Sequence, residues 1–194
     1  MNDVKKAVMT NWRWVMCAML FFATTVNYMD RQVLSLTFKE FIQPEFHWTD
    51  SDYGTITGVF SIAYAIFCLF AGKFIDWMGT KKGYLIAIVV WSLGAVMHAG
   101  CGWVTEQIVG VADKAALLEA TGAIVSTISM VSVWLFLVCR LILGLGEAGN
   151  FPAAIKVTAE YFPKKDRAFA TALFNAGASV GALAAPATIP LLAK

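Results

Sequence analysis

Apolar residues fall along the chain in five long runs, at about 12–36, 53–75, 84–104, 127–153 and 168–192. At about 1.5 Å of rise per residue, one helix needs about 20 mostly apolar residues to cross a bilayer. The pattern therefore predicts an all-α membrane protein with five spans. The first run is too long, and too polar at its inner end, for a signal peptide, and no small-residue cleavage site follows it, so it is expected to be retained. The third connection, Thr105 to about Ser126, is long and contains the helix-prone stretch Ala115 to Ala120. It reads either as a short helix packed on the outer surface or as an extended loop with one helical turn. Pro152, Pro186 and Pro190 are expected to bend or end their helices, with internal partners for the carbonyls they free.

Small residues stud the fourth and fifth spans: Gly144, Gly146 and Gly149 in one, and Ala176, Gly177, Ala178, Ser179, Gly181, Ala182, Ala184 and Ala185 in the other. Lipid supplies no hydrophobic drive for helix association, so close backbone approach at small residues is the expected packing device. Trp12, Trp14, Trp48 and Trp103 fall near span ends and read as interfacial anchors, as do His47 and His98.

The 194 residues carry a net charge of only +2, yet the charges are segregated. Lys5, Lys6 and Arg13 precede the first span. Lys73, Lys81 and Lys82 flank the second connection, and Lys156, Lys164, Lys165 and Arg167 fill the fourth. The other connections are acidic, with Glu40, Glu45, Asp50 and Asp52 in the first and Glu106, Asp113 and Glu119 in the third. This asymmetry predicts a cytoplasmic N-terminus, with Lys194 on the outer side. No basic patch with interleaved aromatics suggests a nucleic-acid partner. Cys17, Cys68, Cys101 and Cys139 show no metal-ligand spacing and read as small packing residues. With no nucleophile–base pairing, metal cluster or phosphate loop, an enzyme is not expected, and no cofactor is.

Ionisable residues inside the apolar runs change the picture. Asp30 and Arg31 lie in the first span, Arg140 and Glu147 in the fourth. A charge near the bilayer centre costs about 2.5–3.5 kcal/mol on insertion scales, so it must face protein or water. Four such groups point to a path for a polar solute. Asn27, Asp30, Arg31 and Leu34 share one helix face, as do Arg140, Gly144 and Glu147. Thr57, Ser61, Tyr64 and Cys68 form a mildly polar face of the second span, and the fifth offers Asn175 and Ser179. These faces can converge near mid-membrane, where transporter sites tend to lie. The competing reading is a static network in which Asp30 neutralises Arg31 and Glu147 neutralises Arg140. Against it, buried pairs are poor devices for stability alone, and a guanidinium is the best group for gripping a carboxylate.

The connection Gly72-Lys73-Phe74-Ile75-Asp76-Trp77-Met78-Gly79-Thr80-Lys81-Lys82-Gly83 reads as a tight cytoplasmic loop. Its G-x-x-x-D-x-x-G-x-K-K spacing resembles the signature between helices 2 and 3 of the major facilitator superfamily, with Trp77 where a basic residue usually follows the Asp. Asn27-Tyr28-Met29-Asp30-Arg31-Gln32-Val33-Leu34 resembles helix 1 of the anion:cation symporter branch, and Arg140 to Pro152 resembles its helix 4. Within that branch the likeness is nearest to bacterial hexuronate transporters.

The resemblance implies the N-terminal bundle of a twelve-helix transporter, five helices of twelve over residues 1–194, ending before helix 6 and lacking its C-terminal half. It implies proton-coupled uptake of a sugar acid such as glucuronate or galacturonate across a bacterial inner membrane. Other organic anions such as galactonate or glucarate, or phosphate, are the alternatives within the fold, and a non-transporting membrane protein or an inert fragment outside it. By motif position Arg31 would bind the substrate carboxylate, and Asp30 and Glu147 would carry protons with Arg140 tuning them. Tyr64, Asn175 and Asn27 would contact substrate. Gly72, Asp76, Gly79, Lys81 and Lys82 would form the conformational loop motif. Arg167 and Arg140 are weak candidates to pair with Asp76.

Overall fold

The computed structural model describes residues 2–192, with side chains from Trp12 onward. Lys194, expected at the outer side, lies outside the described residues, and Lys5 and Lys6, expected as orienting charges, lie outside the described side chains. The described chain is helical throughout: α1 (Asn2–Thr37), a π-helical turn (Phe38–Ile42), α2 (Gln43–Phe46), α3 (Asp50–Met78), α4 (Thr80–Val109), α5 (Lys114–Leu118), α6 (Ala123–Glu147), α7 (Asn150–Tyr161) and α8 (Arg167–Leu192).

Four stretches are long and apolar enough to cross a membrane: Asp50–Met78, Thr80–Val109, Ala123–Tyr161 and Arg167–Leu192. The expected first span is not among them. α1 has the length, but Asn27, Asp30, Arg31 and Gln32 dilute its apolar run. Asn27 is buried in a stripe with Leu20, Thr24, Leu34 and Phe38 at helical spacing, and Asp30, Arg31 and Gln32 are half-buried beside it. α1 turns this stripe toward the rest of the bundle, as an amphipathic helix must.

Helix boundaries depart from the sequence reading in two places. The expected loop from Gly72 to Gly83 is almost entirely helix. α3 runs to Met78, Gly79 alone makes the turn at φ +79°, and α4 begins at Thr80. Only Gly79 needs the positive-φ conformation that glycine tolerates; the intervening residues are compatible with helix. The expected fourth span, ending near 153, instead breaks at Ala148–Gly149 and continues as α7 to Tyr161. Pro152 causes no break, because it sits in the first turn of α7, where its N–H would be unpaired anyway. Lys156 is therefore on a helix and not in a loop.

The connections are built, not slack. Thr49 and Asp52 form a reciprocal capping box at the start of α3. Asp113 accepts from Ala116 N at 2.9 Å and starts α5. Leu117 of α5 is fully buried, so the third connection is the packed helix rather than the extended loop. Trp48, expected as an interfacial anchor, is 2% exposed. It packs edge-on against Phe136 with ring centroids 4.9 Å apart and donates to Ser132 Oγ at 2.8 Å. The first connection folds inward because Phe46 and Trp48 supply apolar area to a core shared with Leu34, Ile56, Ile128 and Phe136. Trp12 and Trp103 are exposed, as anchors should be, whereas Trp14 packs on Phe162 and Phe169.

α1 packs chiefly on α8, and α4 on α6. The small residues explain both pairings. A Cβ on Gly177 would come within 2.5 Å of Phe21 O, and one on Gly181 would strike Thr25 O. One on Gly146 would meet the backbone of Trp91 and Ala87. These backbones touch because the side chain is missing. α8 continues as one helix through Pro186 and Pro190, so neither ends it. The proline at 186 frees the carbonyl of Ala182, and Gln32 Nε2 on α1 donates to that oxygen at 3.2 Å, the internal satisfaction an intramembrane proline requires.

Candidate functional site

The site lies where α1, α3, α4 and α6 face one another. Arg31 Nε donates to Glu147 Oε2 at 2.9 Å, joining α1 to the end of α6. The Glu147 side chain is 0% exposed and that of Arg31 is 24% exposed. Arg31 also lies against two aromatic faces, with Cζ 4.1 Å from the Tyr64 ring centroid and 5.5 Å from that of Tyr28. Such cation–π contacts contribute about 0.5–2 kcal/mol each, more where water is excluded. Arg31, held by one carboxylate edge and two rings, still lines a cavity shared with Arg140.

The static pairing considered from sequence is not the one formed. Asp30 does not neutralise Arg31; its Oδ2 accepts from Trp91 Nε1 on α4 at 2.7 Å. Arg140 does not pair with Glu147 within 4 Å and has no ion pair among the described residues. It is 5% exposed, with Cζ 5.6 Å over the Phe60 ring and no hydrogen-bond partner for Nε. Two cations and two anions thus share one buried region with a net charge of zero, but only one close pair links them.

Two cavities meet at Arg140. A small one of about 50 Å³, between α1, α3 and α6, is lined by Arg31, Ser35, Tyr53, Thr57, Phe60 and Arg140. A larger one of about 470 Å³ reaches Asp30, His98 and Arg140 and is bordered by Glu45 and Lys114, which pair at 2.8 Å. His98 is half-buried, and its Nδ1 donates to Gly94 O at 2.7 Å. His47 Nε2 donates to Leu117 O at 2.8 Å, tying the first connection to α5.

The other expected site residues are distributed differently. Tyr64 meets Arg31, as above. Asn27 is completely buried, one turn along α1 from Arg31, and borders neither cavity. Asn175 and Ser179 are exposed on α8, because the buried stripe of that helix is Ala170, Phe174, Gly177, Gly181 and Ala185. The structure does not bring them to Arg31. At the turn, Asp76 Oδ1 accepts from Lys156 Nζ at 2.8 Å, and the same ammonium donates to Ile75 O at 3.2 Å. Neither Arg140 nor Arg167 is that partner; Arg167 instead caps α7 through Phe162 O and Ala159 O. Gly72 lies within α3, and Lys81 and Lys82 are exposed in the first turn of α4.

Sequence reasoning missed Trp91, Tyr84, Thr24, Asn150 and Lys156. Tyr84 Oη donates to Asn150 Oδ1 at 2.8 Å, and Asn150 Nδ2 donates to Thr24 Oγ1 at 3.4 Å. Two signals could have found them. Trp91 is a tryptophan in mid-span, where its N–H needs a partner within the protein. Asn150 follows Glu147 by three residues and Thr24 precedes Asn27 by three, each continuing a polar face.

A bundle of long apolar helices with charged side chains buried between them defines a class, helical membrane proteins, and comparison makes it specific. The profile of the Major Facilitator Superfamily matches residues 20–194, and the chain belongs to that family. It is 30% identical to the hexuronate transporter of Escherichia coli (strain K12) over 176 residues, 90% of this chain and 33% of that protein. It is 28% identical to the galacturonate transporter of Dickeya chrysanthemi over 174 residues, 90% of this chain and 42% of that protein. A Pseudomonas putida protein bearing the name "Probable galactarate/D-glucarate transporter" is 32% identical over 166 residues, 86% of this chain and 31% of that protein. The chain thus spans 31% to 42% of the length of these relatives. No solved structure matches it.

Proposed function

We propose that this chain is the N-terminal portion of a proton-coupled importer of hexuronates, with α1, α3, α4, α6–α7 and α8 as five spans and the N-terminus in the cytoplasm of a bacterial inner membrane. The observation that carries the reading is the Arg31 guanidinium, bonded to a fully buried Glu147 yet still open on one side. A substrate carboxylate and Glu147 compete for the same cation. When the substrate takes Arg31, Glu147 loses its close counterion while wholly buried. A carboxylate so placed is costly, and it becomes neutral by taking up a proton. Release of the substrate restores the pair and expels the proton. Binding of anion and proton are thereby linked, and for a monovalent anion at one-to-one coupling the loaded carrier moves no net charge. Asp30, held by Trp91, and Arg140 set the field around this exchange.

The remainder of a full-length protein supplies the opposite wall of the site, and alternating access would rock the two halves about it. The Asp76–Lys156 bridge ties the α3–α4 turn to α7 on the cytoplasmic side and would stiffen this half as it moves. The galactarate-type relative supports a second reading, in which the same Arg31 site takes a dicarboxylic sugar acid.

Uptake of labelled glucuronate by cells carrying the full-length protein tests the first reading, with galacturonate and galactarate as competitors. Arg31→Lys keeps the charge and loses the planar fork, so uptake should collapse; near-normal uptake would remove Arg31 from the substrate site. Glu147→Gln should abolish proton-driven accumulation while counterflow exchange persists. Stronger competition by galactarate than by galacturonate would favour the second reading.

A further inference from the structure

The larger cavity, between α1, α4 and α6, is bordered by two opposite charges that are not bonded to each other. Arg140 borders it from α6 and Asp30 from α1, and among the described residues no ion pair joins them. Arg140 is 5% exposed, and its Nε has no hydrogen-bond partner. Asp30 uses Oδ2 for Trp91, and Oδ1 has no partner among the described residues. The other two charges at this cavity, Glu45 and Lys114, satisfy each other at 2.8 Å. A buried charge left without a counter-charge is costly, so the gap between Arg140 and Asp30 calls for an occupant that carries one charge of each sign.

The walls decide what else such an occupant carries. Away from the charges they are formed largely by Leu34, Ala95, Ala99, Phe136 and Leu143. His98 adds its ring, with Nδ1 on Gly94 O, and the Thr37 hydroxyl is turned onto Val33 O at 2.7 Å. The void follows α1 from Asp30 to Thr37, about 10 Å of helix rise. Its volume of about 470 Å³ falls within the usual range of small-molecule sites, about 300–1,000 Å³. Water alone fits poorly, since a buried water needs several polar partners and apolar-lined space stays dry. A sugar acid fits poorly too, because its hydroxyls would press on aliphatic carbon and lose hydration without replacement.

We propose that this cavity binds a zwitterion with an apolar body, an aromatic or large aliphatic α-amino acid. Its carboxylate lies on the Arg140 guanidinium, its ammonium donates to Asp30 Oδ1, and its side chain lies among Leu34, Ala99 and Phe136. Both charges of an α-amino acid hang on one carbon, so a single small head group bridges two side chains too far apart to bond directly. Neither charge of the ligand is then buried without a partner, and the region keeps its net charge of zero. The site is distinct from the Arg31 cavity, which lies on the α3 side of Leu34 and Arg140, the two residues that border both. It does not depend on the transport reading above.

The test is thermal unfolding of the full-length protein in phospholipid nanodiscs, since a ligand that binds only the folded state raises the midpoint. L-Phenylalanine should raise it in proportion to the logarithm of its concentration once the site is filled. Phenethylamine lacks the carboxylate and hydrocinnamate lacks the ammonium. Each should need about ten-fold or more higher concentration for the same shift, the loss of one hydrogen-bonded charge contact. Glycine, which lacks the body, should give no shift. Ala99→Trp fills the void from α4 and should abolish the phenylalanine shift. Asp30→Asn still accepts from Trp91 but no longer attracts an ammonium, so hydrocinnamate should now stabilise at least as well as phenylalanine. An undiminished phenylalanine shift in Ala99→Trp would overturn the proposal. So would equal shifts from phenylalanine and hydrocinnamate in the wild type, or no shift from phenylalanine at all. If Ala99→Trp does not fold, by gel filtration, Ala95→Leu narrows the same void, and an undiminished shift there would overturn it equally. Failure of glucuronate uptake would defeat the transport reading and leave this result untouched, because binding is read without transport.

Discussion

Replacing Arg31 by Met removes one cation from a region that holds Asp30, Arg31, Arg140 and Glu147 at zero net charge. Glu147 is wholly buried, and its 2.9 Å bond to Arg31 is its one ion pair among the described residues. Removing one partner of a buried pair costs about 3–5 kcal/mol, because the other charge is left without compensation. Arg31 retains 24% exposure, so the low end applies, about 3 kcal/mol, and the loss of the Tyr64 face adds to it. That is more than a hundred-fold in the unfolding equilibrium, at about 1.4 kcal/mol per factor of ten. The double variant Arg31→Met/Glu147→Met restores neutrality and leaves two unbranched apolar side chains face to face. It should be more stable than Arg31→Met alone, since apolar replacement of a whole buried pair is commonly neutral or favourable. The assay is a double-mutant cycle on the purified full-length protein in detergent micelles, following reversible unfolding by denaturant titration. A loss below about 1 kcal/mol for Arg31→Met would refute the argument, because that is the range of an exposed pair. Additive single effects would refute it too, since independent residues give no interaction energy.

Gly146→Val would place a branched side chain on the backbone of Trp91 and Ala87; overpacking at such a contact costs about 1–3 kcal/mol or more, and thermal denaturation in micelles should show a clear drop, with Gly54→Val, which has open space, as the unaffected control. Trp91→Phe removes the N–H that Asp30 accepts at 2.7 Å; it should cost about 1.5–3 kcal/mol as a hydrogen bond to a charged group, and wild-type stability by the same measurement would mean that Asp30 finds an equivalent donor.

The sequence carried the class of the protein because its signals there are local. All five expected spans are legible as runs of apolar residues, since lipid tests each helix singly and every backbone group must be satisfied within it. The first is the least apolar of them: Asn27, Asp30, Arg31 and Gln32 subtract from its local average, and it is not among the four stretches apolar enough to cross a membrane. The turn motif was recognisable from Asp76, Gly79 and the two lysines. That only Gly79 is non-helical was not, because Asp76 and Trp77 suit either state and the extension of α3 decides.

What the sequence determined by itself is therefore the all-helical membrane character, the family motifs and the identity of four intramembrane charges, each a property of a residue and its near neighbours. Which charges meet was decided only in three dimensions. Arg31 and Asp30 adjoin in the chain, yet they point about 100° apart on a helix and find Glu147 and Trp91 on two other helices. The same rotation leaves Asn175 outside the bundle and buries Phe174 beside it. Trp48 moved from an expected interface into the core because the short helices around it fold back over α6, a contact between segments 84 residues apart that no local pattern encodes.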